Sequence, residues 1–354
     1  MLKLNGVRDF FLRLIGIKRI YYNLDDIKTS LYKINEKVNE NSNIIKCIVN
    51  KDGRLLDNDT VLFTPKMLDD VIRSRLDERL EYYFRWRMPV QLNDTGHTFI
   101  HTNDGHRLFV DVKEPFMTLH LLEHGEWESP VRREIKRLLT DGGTFIDVGA
   151  NIGLHTLYAS TIVGESGNII ALEPHPVTRS ILRKNVEING LLDRIVISPF
   201  AISNKDNEEV IFEYFSEHPA MSGLKVSENI LSKYDGTVER TKVSTITIDT
   251  LIEKLSVIPD LIKIDVEGFE NIVLEGCLKT IENFPNVKFL IEYEKVMAES
   301  VIKVGVGQEI ADFFNSRGFN IFRVDADNLS LVSYSDFKNE IRGDYVFSKQ
   351  NYDD

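Results

Sequence analysis

The stretch Thr144-Phe-Ile-Asp147-Val-Gly149-Ala-Asn151-Ile-Gly153 decides the fold. Its first half is short and rich in β-branched and aromatic residues, which suits a strand. Its second half sets Gly149 and Gly153 four residues apart, where glycine lets the chain turn sharply and approach another group closely. Apolar residues then recur at helical spacing over 153–163. The unit is strand, tight turn, helix, and the helix start offers unpaired N–H groups and the positive end of a dipole.

The same alternation continues outward. Strands are expected at 168–172, 194–199, 260–265 and 287–293, with helices at 176–188, 249–255, 269–283 and 307–317. A strand pair is expected near 208–215 and 241–247, and strands at 319–324 and 343–348 end the chain. Strands separated by helix-length segments imply an α/β fold with a mainly parallel sheet, whose ligands bind beyond the carboxyl ends of the strands. Glu173-Pro174 ends the second strand, twenty residues past Gly153, where an acid can hold both ribose hydroxyls. Asp147, two residues before the first glycine, repels a pyrophosphate but attracts an amine. Together these residues describe a pocket for a nucleoside with an amino-acid tail, S-adenosylmethionine. A dinucleotide site would want a third glycine and no acid aimed at the phosphates.

The sequence here resembles the FkbM family of S-adenosylmethionine-dependent methyltransferases. The resemblance rests on FIDVGANIGLHTL (145–157), ALEPHP (171–176), ITIDTLI (246–252), LIKIDVEGFE (261–270) and FLIEYE (289–294). It implies a class I, Rossmann-like fold with a seven-stranded, mainly parallel sheet whose last strand is antiparallel. It also implies methyl transfer to a hydroxyl, commonly of a sugar or a secondary metabolite. Carried over by position, Asp147, Gly149, Asn151, Gly153 and Glu173 would bind the cofactor. Backbone N–H groups near Gly149 and Gly153 would meet the methionine carboxylate, and Asp147 the α-amino group. Asn151 would either donate its amide or tolerate a left-handed backbone. His175 would lie along the ribose or adenine, or else be a surface-loop histidine. Ala201 would border the adenine edge.

Lys263-Ile-Asp265-Val-Glu267-Gly268 ends the fourth strand, and alternation puts the three charged side chains on one side. Methyl transfer to a hydroxyl needs the acceptor aligned and its proton removed. Asp265 is the first choice for that work and Glu267 the second, with Lys263 favouring the ionised carboxylate. Mg²⁺ held by Asp265, Glu267 and Glu292 or Glu294 is a less favoured alternative. His155 is an alternative base or merely packs its helix, and His218 lies in an insertion, 216–223, that would either close over the acceptor or be an ordinary surface loop. In the loose match Gly125-Glu-Trp127-Glu128, Trp127 would stack on a sugar or cover the cofactor, and Glu128 would cap a helix or touch the cofactor. No metal ligand is assigned.

The rest of the chain sets the context. Among 354 residues the net charge is −12, which counts against nucleic acid as a partner. Residues 1–20 nonetheless carry Lys3, Arg8, Arg13, Lys18 and Arg19 against Asp9, and a basic amphipathic helix there would touch a membrane surface from the cytoplasmic side or merely be solvated. From Ile17 to Ile48 apolar residues step by three and four, as in a coiled coil, so a homo-oligomer through 17–48 is expected. Two distant cysteines, Cys47 and Cys277, suit a cytoplasmic, reducing compartment. The expected organisation is a helical coiled-coil extension (1–52), a helical and hairpin cap (53–125) and the methyltransferase part (126–354), acting on a sugar or glycan hydroxyl. The competing reading is a non-catalytic interaction module, against which the intact Asp147, Glu173, Asp265 and Glu267 stand.

Overall fold

The computed structural model describes residues 90–91, 97–111, 115–215, 222–225 and 237–351. The basic segment 1–20, the heptad seam 17–48, residues 53–89 of the expected cap and His218 lie outside the described residues. The chain divides into two compact units, one of residues 1–101 and 119–125, the other of 102–118 and 126–354. In the first, β1 (Val90–Gln91) pairs antiparallel with β2 (His97–His101).

The second unit begins with a turn in which Thr102 N donates to His106 O, followed by β3 (Arg107–Asp111). Helices α1 (Pro115–His124) and α2 (Ser129–Leu138) precede β4 (Thr144–Val148), α3 (Leu154–Val163), β5 (Asn168–Leu172), α4 (Pro176–Ile188) and β6 (Ile195–Ser198). The short β7 (Ala201–Ile202), with β8 (Glu209–Phe215) and β9 (Val238–Ile246), forms a separate sheet in the order β7-β9-β8. Then come α5 (Ile248–Leu255), β10 (Leu261–Ile264), α6 (Glu270–Glu275), α7 (Leu278–Asn283), β11 (Lys288–Glu294), α8 (Lys295–Val301) and α9 (Val306–Asn315). The last elements are β12 (Asn320–Val324), β13 (Leu329–Val332), α10 (Tyr334–Phe337) and β14 (Arg342–Ser348).

The main sheet runs β13-β12-β14-β11-β10-β4-β5-β6. Pairing is parallel from β11 through β10, β4 and β5 to β6, and β14 enters antiparallel between β11 and β12. The seven expected strands are therefore present, but the sheet has eight. Leu329-Ser-Leu-Val332 adds an edge strand through a tight hairpin in which Asp325 N donates to Asn328 O. A four-residue edge strand offers too short an alternation to be read in advance. A second difference is the helix expected over 269–283, which is broken at Gly276. Its carbonyl accepts from Asp249 N, and the Asp249 carboxylate caps α7 by accepting from Lys279 N and Thr280 N.

Both faces of the sheet are covered, so its central strands are mostly apolar; all five residues of β4 are buried, with Asp147 the one charged side chain among them. Ile146, Val148, Ile262, Ile264, Phe289 and Ile291 carry the core between β4 and β11, and Phe314, Phe319 and Phe347 extend it towards β14. Asn185 on α4 and Asn189, which caps the end of that helix, fix β3 by bonding its backbone. Asn185 accepts from Phe109 N and donates to the carbonyls of Phe109 and Ile152, while Asn189 accepts from Arg107 N and donates to Arg107 O. Asn185 thereby also holds the loop that follows β4.

That loop passes close to the turn that follows β10. Gly149 has φ +80°, and a Cβ there would stand 1.9 Å from the carbonyl oxygen of Asp265. Gly149→Ala should therefore cost about 3 kcal/mol or more, because either the backbone or the Asp265 turn must move. A thermal melt reads this directly; a melting temperature equal to the parent's would mean that the turn has room.

Candidate active site

A cavity of about 240 Å³ opens where β4, β5, β10 and β11 end. Its first side is built by the loop after β4. Gly149 N and Ala150 N both donate to the carbonyl of Leu172, which folds the loop across the end of β5. Asn151 holds φ +50°, the left-handed conformation expected of it as one of two options. Its N–H donates to Glu173 Oε2 at 3.0 Å, and His175 N donates to Glu173 Oε1 at 2.9 Å. The Glu173 side chain is thus oriented by two backbone donors on the cavity wall. Burial pushes its carboxyl up to about 7, against the lowering effect of those N–H groups and of Arg179.

His175 is 4% exposed, which overturns the surface-loop reading. It caps α4, its Nδ1 standing 3.0 Å from Thr178 Oγ1, and its ring stacks on Tyr214 with centroids 3.9 Å apart. Burial holds the imidazole down at about 4, so the ring is neutral at physiological pH. Ala201 is buried in β7 and lines the cavity beside Phe200, Ile202 and Phe212. Ser222 and Gly223, the described end of the 216–223 insertion, also line it. They are pinned to β8, where Gly223 exchanges both backbone bonds with Glu213 and Ser222 Oγ accepts from Phe215 N.

The other side of the cavity is acidic. Lys263 is 4% exposed, and its Nζ lies 2.8 Å from Asp265 Oδ2. Burial opposes its charge, but Asp265, Asp147 and Glu128 outweigh that and keep the ammonium protonated. Glu267, at φ +53°, is pushed far up by burial and by Asp265, Glu292, Glu270 and Glu294. Asp265 raises Glu292 to about 9, with burial and Asp344 adding to the effect. Burial and Glu128 raise Asp344 to about 7. Arg342 bonds Glu292 at 3.2 Å and approaches Glu294 at 3.8 Å. Among the described residues no three His, Cys, Asp or Glu side chains converge to hold a metal ion; Glu292 is engaged with Arg342 instead.

Of the residues expected at the site, Gly149, Asn151, Glu173, His175, Ala201, Asp265 and Glu267 line this one cavity. Lys263 does not line it but supports Asp265 from below. Gly153 does not line it either. It starts α3 at φ +93°, where a Cβ would meet Leu182 Cδ1 at 2.5 Å, so its role is in packing. Asp147 is 1% exposed and lies behind the wall, accepting from Thr156 Oγ1 at 2.5 Å. His155 also sits outside the cavity, buried against Glu128 at 2.9 Å. Glu128 itself does line the cavity and makes no helix-cap bond. Arg342 and Asp344 were not anticipated. The signal for them is the antiparallel register that sets Glu292 against Asp344 and Glu294 against Arg342.

A family model described as the methyltransferase FkbM domain matches residues 147–321, which include Gly149, Gly153 and the Lys263–Gly268 strand end. The chain carries an FkbM methyltransferase domain. It is 27% identical over 216 residues to "Methyltransferase sdnD" of Sordaria araneosa, covering 53% of this chain and 79% of that protein. It is 28% identical over 194 residues to a probable cobalt-precorrin-6B C(15)-methyltransferase (decarboxylating) of Sulfurisphaera tokodaii, covering 51% of this chain and 95% of that one. A solved structure of an S-adenosylmethionine-dependent O-methyltransferase from Thermotoga maritima overlays with a TM-score of 0.36 at 13% identity, covering 88% of this chain and 96% of that one. No helix among the described residues of the methyltransferase is long and apolar enough to cross a membrane.

Beneath the acidic side, Glu270 is 2% exposed and accepts from Gly268 N at 3.0 Å. Burial raises its carboxyl from the ordinary 4.5 to about 7. A raised acid contributes stability that is full below its ordinary value and is lost as pH climbs through the folded one. Glu270→Gln keeps an acceptor for Gly268 and cannot ionise. Relative to the parent, it should gain about 2–3 kcal/mol between pH 4.5 and pH 7. Denaturant melts across that window measure the difference, and a difference independent of pH would sink the assignment.

Proposed function

We propose that this methyltransferase moves the methyl group of S-adenosylmethionine to a hydroxyl of a sugar, glycan or related polyol. The observation that carries this reading is one cavity joining two chemically different ends. One end has an apolar wall (Phe200, Ala201, Ile202, Phe212) beside a carboxylate with two fixed oxygens, Glu173. That donor set fits adenosine, with the base against the wall and the ribose hydroxyls donating to Glu173. The other end holds Asp265, fixed by a buried ammonium. When bound, S-adenosylmethionine supplies an electrophilic methyl whose leaving group is a neutral thioether.

The protein has three tasks. The Gly149 turn brings the end of β4 against the Asp265 turn, which sets the two ends at a fixed separation. Asp265 accepts the proton of the acceptor hydroxyl as charge develops on its oxygen. Lys263, 2.8 Å away, keeps Asp265 oriented for that acceptance, and Glu267, held protonated, donates a hydrogen bond to a neighbouring acceptor oxygen. Several paired carboxyl groups suit a ligand with many hydroxyls, which supports the polyol class over an apolar acceptor.

Two measurements test the reading. Glu173→Gln retains the side-chain shape and one acceptor oxygen, and should weaken cofactor binding in calorimetry by about tenfold. Unchanged affinity would remove Glu173 from the ribose. Asp265→Asn should leave cofactor affinity intact and lower the rate of methyl transfer by about 10²–10⁴-fold. The rate is followed with labelled S-adenosylmethionine and a cell extract, and the product is identified. Label appearing on carbon or nitrogen would overturn the hydroxyl assignment.

A further inference from the structure

The fold separates two carboxylates that the sequence places near the cofactor's amino-acid end. Asp147 has one oxygen bonded to Thr156 Oγ1, the other buried without a hydrogen-bond partner, and no surface on the cavity. A compensating charge comes from Lys263, its cross-strand neighbour in the β4–β10 register. Glu128 is different. It lies just before α2 at φ +50°, a left-handed conformation that costs a non-glycine residue energy, and its side chain faces the same cavity as Gly149 and Asn151. Its carboxylate is gripped by His155 Nε2 at 2.9 Å and by the Trp127 side chain. His155 sits on the first turn of α3 and is 7% exposed, and because an ionised carboxylate only accepts, its Nε2 carries the proton given to Glu128, which leaves Nδ1 without a hydrogen-bond partner. The neighbouring cavity carboxyls Glu267 and Glu292 are pushed towards the protonated form, whereas these two donors and Lys263 overcome the effect of burial and hold Glu128 at about 2.

Resting on the reading that the cavity takes S-adenosylmethionine, we propose that Glu128 is the residue that binds the cofactor's α-amino group. In this arrangement His155 is the positioning residue that aims it, and Asp147 has a structural role. A strained backbone, two dedicated donors and a cavity-facing anion together make a preorganised seat for a small cation. The adjacent N–H groups of the Gly149 loop leave room for the carboxylate of the same amino-acid tail. Asp147, by contrast, serves to balance Lys263 and to fasten α3 through Thr156.

The test uses two adenosine thioethers on the full chain: S-adenosylhomocysteine, which has the amino-acid tail, and 5′-methylthioadenosine, which lacks it. Calorimetry on the parent should show tighter binding of the first. Glu128→Gln should weaken S-adenosylhomocysteine by about tenfold or more and leave methylthioadenosine unchanged, so that the preference collapses. His155→Gln should reduce the same preference by a smaller factor, a readout that general loosening of the fold would not move selectively. Asp147→Asn should lower the melting temperature while keeping the preference. If Glu128→Gln retains the parent's preference, or if Asp147→Asn is the variant that abolishes it, the proposal is overturned. If the parent binds neither thioether, the cofactor reading itself fails, and this assignment falls with it.

Discussion

The contact between the loop after β4 and the carbonyl of Asp265 is the constraint on which the rest of the site depends. Two parallel strands that neighbour each other in the sheet end side by side, and each must leave it through a turn. At Gly149 the first turn passes so close to the second that no side-chain carbon fits between them. The same turn donates two N–H groups to Leu172 O, so it is tied to β5 on one flank as firmly as it abuts β10 on the other. This three-strand knot fixes where Glu173 stands relative to Asp265. The two ends of the cavity are therefore positioned by backbone and not by the rotamers of long side chains, which is the more rigid way to place reacting groups.

Charge is the second organising principle. Several carboxyl groups gather around one buried ammonium, and they cannot all ionise together at such short range. The structure resolves the conflict by treating them differently. Asp265 has Lys263 and Glu128 has His155 and Trp127, whereas Glu292, although bonded to Arg342, is pushed up to about 9 by Asp265, burial and Asp344. Glu267 is given no cation of comparable closeness among the bonds described, and burial together with its acidic neighbours pushes it towards the neutral form. A cavity with both ionised and protonated carboxyls offers acceptors and donors side by side. That mixture matches hydroxyls, each of which both donates and accepts.

Much of this was readable in the sequence because it is local. The β4 strand, its glycine turn, the acid at Glu173 and the Lys263–Glu267 strand end all follow from short-range alternation and spacing, and the fold places seven of the ten expected site residues on one cavity. What escaped is what depends on depth and on distant pairing. Alternation could not tell that Thr156, in the first turn of α3, would take up Asp147, because that is a helix packing back on its own strand. Nor could it bring Arg342 and Asp344 beside Glu294 and Glu292, since the antiparallel insertion of β14 is a choice of register and not of composition. The eighth strand was missed for a related reason: an edge strand of four residues is stabilised by its hairpin turn more than by its own pattern.

His175 shows how one residue can serve folding and binding at once. Its imidazole caps α4 through Thr178, so helix formation already demands a neutral acceptor at that position. Stacking on Tyr214 joins that helix start to the separate β7-β9-β8 sheet. Its backbone N–H orients Glu173. The ring therefore need not touch a ligand to matter, for it couples the acid that faces the cavity to the small sheet that supplies the apolar wall. A substitution there would be felt at the site through Glu173 and through Phe212, on which the ring also stacks.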